Sequence, residues 1–379
     1  MDVKALAGII GADFYTGVPD SQLKPLCDFL MDTYGMDFRH HVIAANEGNC
    51  AALAAGYYLA TGKVPVVYMQ NSGEGNVINP VASLLHKRVY AIPTVFIIGW
   101  RGEPGTCDEP QHSYQGQITL KLLSDLDIQA FVIGKDTTQA EIQEAMIQFR
   151  RFLAQGQQTA FVIRKHAISY QGTARYQNRY QMNRETVICR IAEAAKGDLV
   201  VATTGKISRE LYEIRKCKGQ GQQHDFLTVG SMGHCSSIAL GIAIHRQDKK
   251  VWCIDGDGAV LMHMGALAVT GAAAPGNLVH VIINNCAHES VGGMPTVAGS
   301  MDFAAVARAC GYPFAVRTST YQELDAALAR AVDSSELCLV EARCACESRN
   351  DLGRPSISPI ENRRRFMKDL AESECADEG

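Results

Sequence analysis

Two oxygen-bearing side chains, Asp257 and Asn285, each follow a short apolar run within the stretch Lys250 to Gly293, KVWCIDGDGAVLMHMGALAVTGAAAPGNLVHVIINNCAHESVGG. A carboxylate and an amide oxygen are hard donors that suit Mg²⁺, which binds through one or two protein oxygens together with those of a phosphate ligand. Gly256 and Gly258 let the backbone approach such a ligand, and a helix starting at Ala259 adds a favourable dipole. The pattern points to a Mg²⁺-bridged diphosphate; a buried strand end with two turn residues is the plainer reading that a lone GDG leaves open. A nicotinamide-binding turn fits less well, because Leu261 stands where the third glycine belongs. A further carboxylate, Glu47, falls in the first turn of an Ala- and Leu-rich segment, a place the helix dipole favours for an acid whether or not it has a chemical role.

The elements around these residues repeat one theme. Val251 to Ile254 reads as a buried strand, Ala259 to Ala274 as a helix stopped by Pro275-Gly276, and Leu278 to Ile283 as a second strand. Such a βαβ unit makes its strands parallel with a right-handed crossover, so Asp257 and Asn285 fall at the carboxyl edge of one sheet, where open α/β sheets bind ligands. In the first half, His41 to Ala45 and Val64 to Met69 are strands around a helix from Glu47 to Thr61, N-capped by Asn46 and stopped by Gly62. A glycine-rich loop, Asn71 to Asn76, follows, then a strand from Thr94 to Ile98 and a loop from Gly99 to His112. Asp20 is placed to cap the helix that carries Leu23, Leu26, Phe29 and Leu30. In the second half, Thr204-Gly205-Lys206 follows a strand from Leu199, with Thr204 or Ser208 as a helix cap and Lys206 as an anion contact. The boundaries are a first domain at 1–170, a polar connector at 171–183, a second domain at 184–365 and a tail at 366–379. Each half reads as a doubly wound α/β domain, with no room for a third between them.

Composition narrows the classes. A chain of 379 residues suggests two or three domains at ~150 residues each. Apolar content of 47% supports a sizeable core, and a net charge of −4 gives no support for nucleic-acid binding. Thirteen scattered cysteines, with Cys344-Ala345-Cys346 lacking the two-residue spacing of a zinc ribbon, read as free thiols in a reducing cytosol. Neither a leader nor a membrane-crossing run is expected.

A GDG turn followed after a helix by Asn-Asn, together with the ANEGN segment at Glu47, resembles the signature of thiamine-diphosphate enzymes. The segments GVPDS, ANEGN, QNSG, GWRGEPG with DEPQH, and DLGRP, spread from about Phe14 to Met367, narrow the resemblance to the phosphonopyruvate decarboxylases and the related sulfopyruvate decarboxylases. Glu74 and Cys107 depart from that pattern.

The resemblance implies a pyrimidine-binding domain followed by a diphosphate-binding domain, and a cofactor held between domains of different subunits in a homodimer or larger homo-oligomer. It implies Glu47 as the acid that relays a proton with the cofactor's aminopyrimidine. Gly230, beside Ser231, then supplies a backbone carbonyl and Met232 an apolar support, while the carbonyl of Ala287, ahead of His288, joins Asp257 and Asn285 around Mg²⁺. The implied reaction is non-oxidative decarboxylation of 3-phosphonopyruvate to phosphonoacetaldehyde. Arg101, His112, Lys206 and Arg354 are candidates for the phosphonate, with Asp20 and His112 handling protons. A sulfopyruvate decarboxylase, an acetolactate-synthase-like carboligase and a cofactor-binding but inactive regulatory protein are the alternatives.

Overall fold

The computed structural model describes residues 1–174, 176–349 and 351–377, with side chains described as far as Ala371. The chain divides into two compact units, Met1–Arg175 with His288–Met294, and Tyr176–Ala287 with Pro295–Gly379. The connector expected at 171–183 is therefore shared between the units, and the expected tail continues the last helix, Pro359–Asp377.

In the first unit, strands β1 (Tyr15–Gly17), β2 (His41–Ile43), β3 (Val66–Gln70), β4 (Thr94–Gly99), β5 (Gln129–Ile133) and β6 (Gln158–Ile163) form one sheet in the order β2-β1-β3-β4-β6-β5. Every pairing is parallel. The helices are α1 (Val3–Ile10), α2 (Lys24–Tyr34), α3 (Glu47–Thr61), α4 (Glu74–Pro80), α5 (Pro110–Asp125) and α6 (Gln139–Leu153). Apolar residues run continuously along the central strands because both faces are covered. Val66, Tyr68, Val95, Ile97, Phe161 and Ile163 meet α1, α2 and α6, and their neighbours Val67, Met69, Phe96, Ile98, Ala160 and Val162 meet α3. The chain leaves β1 in one direction and β3 in the other, so the loops after these two strands flank a topological switch point.

In the second unit, β7 (Leu199–Ala202), β8 (Asp225–Leu227), β9 (Val251–Gly256) and β10 (Leu278–Asn284) are followed by the short strands β11 (Ala287–His288) and β12 (Met294–Pro295), then β13 (Phe314–Thr318) and β14 (Cys338–Arg343). The six-stranded sheet is again parallel, ordered β13-β14-β10-β9-β7-β8. Helices α7 (Arg184–Ala195), α8 (Lys206–Cys217), α9 (Cys235–His245), α10 (Asp257–Met262), α11 (Gly265–Ala273), α12 (Phe303–Ala309), α13 (Tyr321–Asp333) and α14 (Pro359–Asp377) complete it. Val200, Trp252, Ile254, Val281 and Val340 face one layer, and Val201, Val251, Cys253, Ile282 and Leu339 the other. Here the switch point lies between β7 and β9, which brings Thr204-Gly205-Lys206 and Gly256-Asp257 to the same crevice. Both sheets match the expected architecture, two doubly wound parallel domains without a middle domain.

Several local expectations are corrected. The helix read as Ala259 to Ala274 is two helices, α10 and α11. His263 leaves the helical range at φ −136°, ψ 49°, and Met262 and His263 pack against Gly233, where a Cβ would lie 2.7 Å from the His263 ring. The glycine-rich stretch at 71–76 is a tight 3-10 turn followed at once by α4, and none of its glycines has a positive φ. His112, expected in a loop, sits in the first turn of α5, which opens on Pro110, a residue pre-set for that position. Asp20 does not cap α2, whose N-cap is Leu23; it turns inward instead. Neither Thr204 nor Ser208 caps α8, whose N-cap is Gly205; the Ser208 hydroxyl donates to the carbonyls of Ala202 and Thr203.

Candidate active site

Glu47 stands at the first position of α3, where the Asn46 side chain accepts from the Asn49 N–H and fixes the helix start. Its carboxyl is buried, and burial pushes it above the ordinary range, while a 2.7 Å bond from Asn76 Nδ2 to Oε2 favours its charged form. Gly73 lies directly against it: a Cβ there would come within 2.5 Å of Glu47 Cγ and 2.6 Å of Oε1. The glycine therefore serves a close approach rather than a turn. A Gly73→Ala protein is expected to fold normally, displace the Glu47 carboxyl and lose on the order of 100-fold in turnover; steady-state kinetics beside a thermal melt checks it, and wild-type turnover would refute it.

Asp20, fully buried at the switch point, accepts from Gln70 Nε2 at 2.6 Å and from the Gln22 N–H at 3.0 Å. Burial raises its pKa; the Gln70 bond and the Arg101 charge work the other way. Gly99 leaves room for it, since a Cβ at that position would lie 2.3 Å from Asp20 Oδ2. The loop after β4 is tied down by Asn71, which donates to the Arg101 carbonyl (2.8 Å) and to Thr119 Oγ1 (2.9 Å) and accepts from the Arg101 N–H (3.0 Å).

The Arg101 side chain is engaged within its own loop. Its Nε and one terminal nitrogen donate to Asp108 at 2.7 and 2.5 Å, and its other terminal nitrogen to Ser21 Oγ at 3.2 Å. Burial opposes the Asp108 charge, but the guanidinium and the N–H groups of Glu109 and Gly102 outweigh it and hold the carboxyl well below the usual range. His112 is half-buried; burial, then the Arg101 charge, lower its pKa to about 4, so its imidazole is neutral at pH 7. His288, in the 288–294 segment of this unit, is likewise pushed down to about 4 by burial. Glu74, the departure noted in the sequence, is a second buried acid, raised by burial to about 8, with Gln115 Nε2 3.3 Å from one oxygen.

In the second unit, Asp257 begins α10 at the end of β9, and Asn285 follows β10. The register pairs Ile283 with Gly256, which sets Asn285 beside Asp257. Burial raises Asp257 to about 7; the Thr296 hydroxyl, donating at 2.5 Å, and the N–H groups of Gly258, Asp257 and Asn285 favour its charge. Asn285 Oδ1 accepts from the Ala287 N–H at 3.1 Å. A buried carboxylate, an amide oxygen and neighbouring backbone carbonyls at a sheet edge form a donor set that fits Mg²⁺, and a cation there offsets the cost of burying the Asp257 charge. The backbone takes left-handed conformations at Gly205 (φ 92°), Ser231 (φ 50°) and Gly233 (φ 91°), within the loops at 203–206 and 230–234. Thr204, Gly205, Lys206, Gly230 and Met232 are half-buried and Ser231 exposed, so this lining is open to a ligand. Lys206 Nζ bonds Ser348 Oγ. Arg354 is exposed in the loop that carries the DLGRP segment; Asn350, just before that segment, lies outside the described residues. Arg349 of that loop ion-pairs with Glu185 and Glu213.

The sequence alone assigns no role to Gln70, Asn76, Asp108 or Thr296, which hold the candidate residues in place. Asn76 is within sight as the end of QNSGEGN, 29 residues beyond Glu47. Thr296 lies 39 residues from Asp257, and no spacing rule links the two.

Residues 3–123 match the family model "thiamine pyrophosphate enzyme, N-terminal TPP binding domain", and 203–342 match its "C-terminal TPP binding domain". With two doubly wound units of this kind, the molecule is a thiamine-diphosphate-dependent enzyme. It is 37% identical to a phosphonopyruvate decarboxylase of Streptomyces viridochromogenes, over 95% of this chain and 92% of that protein. It is 36% identical to a phosphonopyruvate decarboxylase of Streptomyces hygroscopicus, over 96% and 92%. A sulfopyruvate decarboxylase of Methanosarcina acetivorans is similar at 26% identity, over 95% and 94%. The chain belongs to the phosphonopyruvate decarboxylase family of thiamine-diphosphate-dependent decarboxylases.

Proposed function

We propose that this chain is a carboxy-lyase that converts 3-phosphonopyruvate to phosphonoacetaldehyde and CO₂, using thiamine diphosphate and Mg²⁺. The observation that carries this reading is the likeness to two phosphonopyruvate decarboxylases over almost the whole length of both chains, against 26% for a sulfopyruvate decarboxylase matched over a similar length. Thiamine diphosphate supplies the electron sink that makes loss of CO₂ from a 2-oxo acid possible.

The chain's own groups would do the rest. Asp257, Asn285 and the Ala287 carbonyl would hold Mg²⁺, with Gly256, Gly258 and Ala259 leaving the backbone open to the diphosphate. Thr204, Gly205, Gly230, Ser231, Met232 and His288 would line the cofactor. Glu47, neutral or charged according to the balance of burial against its Asn76 bond, would give and take a proton at the aminopyrimidine. Asp20, equally buried and held by Gln70, can hold a proton near the keto acid. The neutral His112 imidazole can donate from one nitrogen and accept at the other.

A phosphonate is a tetrahedral dianion and calls for cationic donors. Arg101 has five N–H groups, of which Asp108 and Ser21 take three, so it can reach an anion without giving up its loop contacts. Lys206 and Arg354, in the second unit, are the other cationic candidates. The family implies a homo-oligomer, at least a dimer, which light scattering of the purified protein would measure. Free thiols throughout the described cysteines fit a reducing cytosol, and among the described residues no helix is long and apolar enough to cross a membrane.

With thiamine diphosphate and Mg²⁺ supplied, phosphonopyruvate should be decarboxylated far faster than sulfopyruvate or pyruvate. A coupled aldehyde assay on the three acids decides this: equal rates, or preference for sulfopyruvate, would overturn the substrate assignment, and acetolactate from pyruvate would point to a carboligase.

A further inference from the structure

We propose that the second unit carries a structural site for a thiophilic divalent cation, zinc foremost, formed by Cys235, Cys253 and Asp255, with His280 beside them. Cys253 and Asp255 are two residues apart on β9 and therefore face the same side of the sheet. His280 on β10 is the direct register partner of Cys253, and Cys235 opens α9, which packs on that face. All four are at most 2% exposed.

Three observations point to a ligand. The two sulfurs stand 3.6 Å apart, close to the separation of about 3.7–3.8 Å that two thiolates take on a tetrahedral zinc with bonds of about 2.3 Å. One donor atom each from Cys235, Cys253 and Asp255 lie within 4.8 Å of one another, and His280 Nε2 is 3.6 Å from Asp255 Oδ2. That carboxylate oxygen and both imidazole nitrogens are buried with no hydrogen bond within 3.5 Å; the imidazole faces Asp255, Cys253 and the Tyr312 hydroxyl. Buried polar atoms are almost always satisfied, so a carboxylate and a histidine that meet only at 3.6 Å, next to two thiols, leave a role for a common partner.

Two sulfurs and one carboxylate oxygen, with an imidazole alongside, are a borderline-soft set that zinc accepts and Mg²⁺ does not. The second carboxylate oxygen, Oδ1, is already held by the Gly256 N–H at 2.9 Å, which would orient Asp255 for a single bond to the metal. Binding replaces the two thiol protons, one of which is aimed at the Val201 carbonyl 3.4 Å from Cys235 Sγ. Sequence spacing gives no hint of this site, because its residues come from one helix and two strands rather than from a knuckle. Its place is immediately beneath the Gly256-Asp257 turn, where it would pin β9, β10 and α9 together.

The test is metal analysis of the purified chain after dialysis against EDTA, which strips the exchangeable Mg²⁺ site. One zinc per chain is expected, retained in Asp257→Asn and lost in Cys253→Ser and in His280→Gln. Should those variants fail to fold, the wild-type protein unfolded with chelator and refolded with Co²⁺ should show the intense thiolate-to-cobalt absorption of a two-cysteine site. Wild-type protein that retains no transition metal as purified and shows no such absorption after refolding overturns the proposal. So does intact-mass evidence that Cys235 and Cys253 are joined as a disulfide, and so does zinc that survives in folded Cys253→Ser protein.

Discussion

Glu47→Gln is expected to lower kcat by about 10²–10⁴-fold, the range that a general acid or base contributes. Glutamine preserves the shape of the side chain, and its carbonyl oxygen can still accept from Asn76, so the packing against Gly73 survives. What disappears is a group able to gain and lose a proton. Cofactor binding should therefore persist while turnover falls, which separates this variant from one that merely damages the site. Fluorescence titration with thiamine diphosphate beside steady-state kinetics makes the comparison. Turnover within a few-fold of wild type would remove Glu47 from the mechanism.

Asp257→Asn should abolish the stabilisation that thiamine diphosphate and Mg²⁺ give together, and it should change how stability follows pH. In the cation-free protein the Asp257 carboxyl holds its proton to about pH 7, against an ordinary value of 3.8. Across that window the native state binds more protons than the unfolded chain, so this group's contribution makes stability fall as pH rises from about 4 to 7. Mg²⁺ competes with the same proton, so its affinity should weaken about tenfold per pH unit below 7 and level off above. Thermal melts between pH 5 and 8, with and without cofactor and Mg²⁺, read both effects. If the Asp257→Asn protein kept the wild-type pH slope and an undiminished shift on adding cofactor and Mg²⁺, Asp257 would not be the ligand.

The architecture was legible because parallel strands covered on both faces leave continuous apolar runs, and glycines, prolines and Asn46 punctuate them. The family resemblance was legible for another reason: Glu47, Asp257 and Asn285 sit in short contiguous segments whose geometry is set by their own βα turns. Less legible were features that depend on close approach between distant segments. Gly73 reads as a turn glycine until Glu47 is found against it. The break at His263 has no helix breaker in sequence and follows from packing against Gly233. Arg101 reads as a ready anion donor, whereas Asp108, seven residues on, already occupies two arms of its fork. Thr296 and Gln70 reach their carboxylates across distances that only the folded chain reveals.

The anchoring of the loop after β4 bears on how such an enzyme can change its diet. Asn71 grips position 101 solely through that residue's main-chain N–H and C=O, which every amino acid other than proline offers alike. The hold at Asn71 is thus indifferent to the side chain at 101, whereas the loop beyond it is braced by that side chain through Asp108 and Ser21. On the roles proposed above, arginine at 101 could be exchanged without loosening the turn against Glu47, although its charge also bears on Asp20 and His112. Variation at Asn71 itself would disturb the turn and the loop at once.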